Sequence, residues 1–128
     1  MKYLTAQDIL VLHAKVVEQT GGSQGIRDVH LLASLVERPK TSFGGKEMFP
    51  SIFEKAATYL ESLAKYHVFV DGNKRTAITA SARFLFLNGY KLSATNKEVE
   101  DFVVRVASEK VELSEIAGWF KNHSRGQL

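Results

Sequence analysis

Nine consecutive residues, His67-Val68-Phe69-Val70-Asp71-Gly72-Asn73-Lys74-Arg75, bring together a base, a carboxylate, a turn-forming glycine and two cations. The residues before them, 56–66, read as an amphipathic helix, and those after them, 76–87, read as another. A helix, a tight charged turn and a second helix aim the free backbone N–H groups of Gly72 to Arg75 at whatever lies above the turn. Helix starts of this kind bind anions, so the spacing predicts a phosphate site.

Each residue in the run admits a chemical and a structural role. An imidazole is partly neutral at cellular pH, so His67 can take a proton from a hydroxyl; it can also close the preceding helix by bonding its last carbonyls. Asp71 can hold a divalent cation that bridges phosphates, or it can make a turn with Gly72 and cap the next helix. Gly72 permits close approach to a phosphate or supplies a positive φ. Asn73 can reach an oxygen through its amide, or serve as a cap. Lys74 and Arg75 fall in the first turn of a helix, where cations oppose the macrodipole unless an anion compensates them. That mismatch is the strongest physical sign of function. Phe69 and Val70 read as anchors of the turn in the core.

The elements that must position these residues are nearly all helical. Thr5 with Asp8 opens a first helix, residues 5–20, with Ile9, Leu12 and Val16 on one face and Gly21-Gly22 as its stop. Asp28 opens a second, about 28–38, which ends before Pro39. Gly44-Gly45 between Thr41-Ser42-Phe43 and Glu47-Met48-Phe49 reads as a small hairpin. Ser51 and Glu54 form a capping box for a third helix that runs to His67. The fourth, 73–87, is apolar on most sides and is expected to be the central buried helix, ending at Asn88-Gly89. Thr95 with Glu98 opens a fifth helix, Ser114 opens a sixth, and residues 124–128 are expected to fray.

At 128 residues the chain fits one domain, 1–128, able to bury roughly two-thirds of its unfolded surface. The absence of Cys excludes thiol catalysis and Cys-type zinc sites. No apolar run is long enough for a membrane span, and the first residues lack a signal-peptide core, which predicts a cytoplasmic protein without a membrane partner. Seventeen basic against 14 acidic residues give a net charge of +3, too small to imply nucleic acid. No P-loop, dinucleotide-binding or EF-hand pattern is present. The loop Gly22-Ser23-Gln24-Gly25-Ile26-Arg27 reads as an inter-helix connection, and His13, His30 and His123 as structural or surface residues.

The run His67-x-Phe69-x-Asp71-Gly72-Asn73-Lys74-Arg75 resembles the motif of the Fic/Doc family, in its death-on-curing (Doc) branch. Gly21-Gly22, Gly25-Ile26-Arg27-Asp28, Leu31-Leu32, Glu54-Lys55-Ala56-Ala57 and Phe84-Leu85-Phe86-Leu87-Asn88-Gly89-Tyr90 extend the likeness over most of the chain. The resemblance implies an all-α, compact single-domain bundle of about six helices with a small β-hairpin flap near residues 40–49. It implies the toxin of a type II toxin–antitoxin pair, moving a phosphoryl group from ATP to a hydroxyl of a host protein, elongation factor Tu in the family. His67 would be the general base, Asp71 the Mg²⁺ ligand, and Gly72, Asn73, Lys74 and Arg75 the phosphate cradle, with Lys74 and Arg75 also acting in catalysis. The flap would hold the target backbone as an added strand.

Departures from the wider family bear on the reaction. AMP-transferring Fic proteins usually carry Gly where this chain has Lys74, and a second Arg where it has Ile78. Both differences favour phosphoryl over AMP transfer, which stays the runner-up. Thr79 stands where the best-known Doc-type sequence has Asn. The family's inhibitory motif, [ST]-x-x-x-E-[GN], is met only in part by Ser108 to Glu112 followed by Leu113, leaving inhibition to a separate antitoxin. Two other classes compete. A DNA-binding helical domain would need a recognition helix with exposed polar and basic residues, whereas the fourth helix is mostly apolar and its cations cluster at one end. A non-enzymatic binding module would leave the intact His67, Asp71, Asn73 and Arg75 without a use.

Overall fold

The computed structural model describes residues 1–127, with six α-helices and two short antiparallel strand pairs. In chain order these are α1 (Ala6–Thr20), α2 (Val29–Glu37), β1 (Ser42–Phe43), β2 (Lys46–Glu47), α3 (Ile52–Lys65), α4 (Asn73–Leu87), β3 (Tyr90–Leu92), α5 (Asn96–Ser108), α6 (Leu113–Asn122) and β4 (Ser124–Gly126). The all-α class and the hairpin match the expectation.

Local chemistry sets most of the boundaries. Reciprocal capping boxes open α1 (Thr5 with Asp8), α3 (Ser51 with Glu54) and α5 (Thr95 with Glu98). The Asp28 carboxylate accepts the Leu31 N–H at the start of α2. Pro39 cannot continue α2, and the chain passes through a 3₁₀ turn at Arg38–Lys40. Phe43 and Lys46 pair across the two-residue loop Gly44-Gly45, whose φ values of 57° and 80° suit the mirror-image turns that hairpins prefer.

The central helix is α3, not α4. It packs against α2, α4, α5 and α6 and buries even Lys55, Thr58 and Ser62. Tyr59, Leu60 and Leu63 of α3 meet Phe84 and Leu85 of α4 and Ile116 and Phe120 of α6 in one hydrophobic cluster. The apolar composition of α4 misleads because several of its residues are not covered: Phe86 is half exposed, and Ile78 faces a cavity.

Two expectations near the C-terminus need correction. Helix α6 starts at Leu113 rather than Ser114, because the N–H groups of Glu115 and Ile116 already bond to the Glu112 carbonyl. Ser124–Gly126 does not fray. It forms β4 against β3, pairing Leu92 with Ser124 and Tyr90 with Gly126, and the Gln127 N–H donates to Gly89 O at 2.6 Å. Long-range strand pairing of this kind leaves no local sequence mark. Residue 128 lies outside the described residues. Among those described, no helix is long and apolar enough to cross a membrane.

Candidate active site

The chain reverses between α3 and α4 in a few residues, and several contacts hold that reversal. Helix α3 ends at Lys65, two residues before His67. His67 adopts φ +49°, a left-handed conformation that non-glycine residues seldom take. Of the residues that follow, Val68 is buried, whereas Val70, expected in the core, is 58% exposed. Phe69 is buried as expected, its ring stacked on His13 at 3.7 Å between centroids.

The loop before α2 runs antiparallel to this segment. Val70 N–H donates to Gly25 O at 3.1 Å, and the Arg27 and Asp28 N–H groups both donate to Val68 O, at 2.7 and 3.0 Å. The Arg27 guanidinium donates to His67 O at 2.9 Å. From α1, His13 Nε2 donates to Asp71 O at 2.7 Å, so that nitrogen carries the proton. Asn73 reaches back to Phe69 with both ends of its amide, accepting from N–H and donating to C=O at 2.9 Å each.

This arrangement leaves the start of α4 without a side-chain cap. Gly72, at φ +76°, occupies the cap position, and a Cβ there would stand 3.1 Å from Val17 Cγ2. Asp71 does not cap the helix: its Oδ1 accepts the Gly72 N–H and its Oδ2 the Ser23 N–H. Asn73 does not cap it either, its amide being engaged with Phe69. The backbone N–H groups of Asn73, Lys74 and Arg75 therefore have no acceptor among the described residues. Helix-terminal donors in that state carry a partial positive charge, and the exposed Lys74 and Arg75 add to it.

Beside this helix start lies a cavity of about 800 Å³. Asp71 to Arg75, Ile78 and Thr79 line one side, Leu12, Lys15, Val16 and Gln19 of α1 another, and Asn96, Val99, Glu100 and Val103 of α5 the third. Thr79 donates its hydroxyl to the Arg75 carbonyl. The motif thus divides: Asp71, Gly72, Asn73, Lys74 and Arg75 are brought together on the cavity, whereas His67 is exposed and stands off its wall.

The donor set fits a polyphosphate with a hard cation. Free N–H groups and two cations suit phosphate oxygens. Each Asp71 oxygen accepts one hydrogen bond and retains a lone pair for a metal. Among the described residues no group of three or more His, Asp or Glu side chains converges, so a cation at Asp71 would draw its other ligands from phosphate and water, as magnesium commonly does.

Comparison with known proteins shows the family. The family model described as Fic/DOC family matches residues 3–85. The chain belongs to the Fic/DOC family. It is 38% identical to Toxin Doc of Mycolicibacterium smegmatis over 118 residues, covering 91% of this chain and 88% of that protein. It is 29% identical to Protein kinase doc of Escherichia phage P1 over 117 residues, covering 91% of each. These relatives place it in the Doc branch.

Sequence reasoning missed part of what builds the Fic/DOC site here. The loop 22–27 is not a slack connection but the strand-like partner of residues 68–70. Its glycines carry the signal that was available: a Cβ on Gly22 would lie 2.7 Å from Asp71 Oδ2, and one on Gly25 3.2 Å from Val70 Cγ2. His13 is structural, as expected, but the structure it supports is the Asp71 turn.

Proposed function

We propose that this protein is the toxin of a toxin–antitoxin pair and transfers the terminal phosphoryl group of ATP to a hydroxyl of a host protein, blocking translation. One observation carries the reading: an uncapped helix start with two exposed cations, Lys74 and Arg75, opens onto a large cavity beside the Asp71 carboxylate. Cations in the first turn oppose the helix dipole, and a bound polyphosphate turns that penalty into attraction. The name of one relative, a protein kinase, supports the same direction.

In this reading the backbone N–H groups of Asn73 to Arg75 and the Lys74 and Arg75 side chains hold the phosphates, and Gly72, without a side chain, lets them approach the turn. Asp71 would hold Mg²⁺, with the Ser23 and Gly72 N–H groups fixing the carboxylate. Magnesium, when bound, supplies charge neutralisation on the phosphate oxygens. Asn73 acts through Phe69, keeping the turn closed. His67 approaches from outside the cavity and takes the acceptor hydroxyl's proton as the new oxygen–phosphorus bond forms and ADP departs. The flap β1–β2, exposed along both strands, receives an extended segment of the target. Elongation factor Tu is the expected acceptor, the cytoplasm the expected setting, and a cognate antitoxin the expected inhibitor.

AMP transfer is the second reading. Ile78 lines the cavity at the position where AMP-transferring Fic proteins carry their second arginine, which favours phosphoryl transfer. Incubation with ATP labelled at the α or the γ phosphate, Mg²⁺ and cell extract separates the two. Label from the γ phosphate on a protein is the expected result; α label on a protein would replace the proposal with AMP transfer, and no label in either arm would remove the enzymatic reading.

A further inference from the structure

Lys55 is 1% exposed, yet it carries a charge and lies outside the motif. A buried ammonium is costly unless every proton has an acceptor. Here each has one: Pro39 O at 3.2 Å, Phe49 O at 2.6 Å and Glu47 Oε1 at 2.8 Å. All three acceptors lie in the flap or at its base. Pro39 precedes the hairpin, Glu47 lies in β2, and Phe49 follows it, so one nitrogen on the central helix ties both legs of the stem and one strand to a single point. The Tyr3 ring, 5.8 Å from Nζ, closes the remaining side.

The hairpin needs such an anchor. Its strands are two residues each, every one of them exposed, with Phe43 83% exposed at the tip. An isolated pair that short is not stable in water. Its backbone is joined outside the strand pair by Met48 N–H to Thr41 O, which lies just above the Lys55 contacts in sequence.

We propose that Lys55 is a positioning residue for the protein substrate: it pre-orders the flap on α3 so that the target chain meets a strand already in place. The proposal rests on the flap's role as the receiving edge. A strand that must be ordered at the moment of binding weakens ground state and transition state alike, so the loss falls on the acceptor's KM.

The test uses the full chain with Lys55→Met, which keeps the buried volume, and Glu47→Gln, a milder change at the half-exposed partner. Amide exchange is followed across the hairpin and α4, and transfer is measured with γ-labelled ATP and purified elongation factor Tu. Lys55→Met is expected to speed exchange at Met48 and its hairpin neighbours about tenfold with α4 unchanged, Glu47→Gln less so. The acceptor's KM should rise about tenfold, with kcat and the KM for ATP nearly constant. Unchanged hairpin exchange in both variants would overturn the proposal, as would a looser hairpin with an unchanged acceptor KM. If Lys55→Met does not fold, Glu47→Gln decides by the same two readouts. If the wild-type chain does not label elongation factor Tu, the proposed acceptor fails by itself, and the exchange result alone decides whether Lys55 orders the flap.

Discussion

Asn73 grips Phe69 by both backbone groups, its Oδ1 accepting the N–H and its Nδ2 donating to the C=O, each at 2.9 Å. The pair closes the turn that brings Asp71 onto the cavity. It also explains why an Asn at the start of α4 is not its cap: the amide is used four residues upstream.

Removing that grip leaves two partly buried backbone groups unpaired. Asn73→Ala is expected to lower stability by about 1–3 kcal/mol. Asn73→Asp should do at least as much harm, since a carboxylate would face the Phe69 carbonyl. Urea unfolding of the two variants checks this; a wild-type midpoint for Asn73→Asp would show that the donor half of the pair is dispensable.

Arg27 acts on His67 from the opposite side, holding the carbonyl of a residue in left-handed backbone at 2.9 Å. Because Arg27 is exposed, Arg27→Ala should change stability by no more than about 0.5 kcal/mol. Loss of orientation at the base should nevertheless lower the transfer rate about tenfold. Parallel thermal unfolding and transfer assays test the split, and a fall in both together would make Arg27 a residue of the fold alone.

Gly22 offers a way to disturb Asp71 without touching it. An added Cβ would lie 2.7 Å from Asp71 Oδ2, the far end of a side chain that can move. Gly22→Ala should leave the unfolding midpoint near wild type while raising the Mg²⁺ concentration needed for half-maximal transfer. A magnesium titration of both proteins reads this directly; identical curves would mean that the Asp71 carboxylate's placement does not govern the metal.

Tyr59 gives the alkaline limit of the fold. Burial pushes its phenol up from 10.0 to about 12, against the opposing effect of the Leu4 N–H that donates to its oxygen. The folded state therefore holds the proton more tightly than the unfolded chain does. The associated stability is fully present below pH 10 and is lost as pH rises towards 12. Tyr59→Phe should flatten that alkaline decline while losing the Leu4 contact; equal slopes for the two proteins between those pH values would contradict the assignment.

How legible the protein was in its sequence depends on the range of the interactions. Capping boxes at Thr5, Ser51 and Thr95 and the Gly44-Gly45 turn are local, and each is found where its residues predict. The gathering of Asp71 to Arg75 at a helix start was legible for the same reason: cations there conflict with the dipole within one turn. What the sequence hid is non-local. The pairing of residues 25–28 with 68–70, the stack of His13 on Phe69, the return of β4 to β3 and the reach of Lys55 into the flap depend on packing that no periodicity encodes. Helix α4 was misplaced at the centre because apolar content does not distinguish a side facing the core from one facing a cavity.

The central claim is that this site moves a terminal phosphate with His67 as base. Intact-mass measurement of elongation factor Tu after incubation with the protein, ATP and Mg²⁺ tests it most directly, with His67→Ala run alongside. A gain of one phosphoryl group with wild type and none with His67→Ala is the predicted result. A gain of an adenylyl group, or an undiminished phosphoryl gain with His67→Ala, would contradict it.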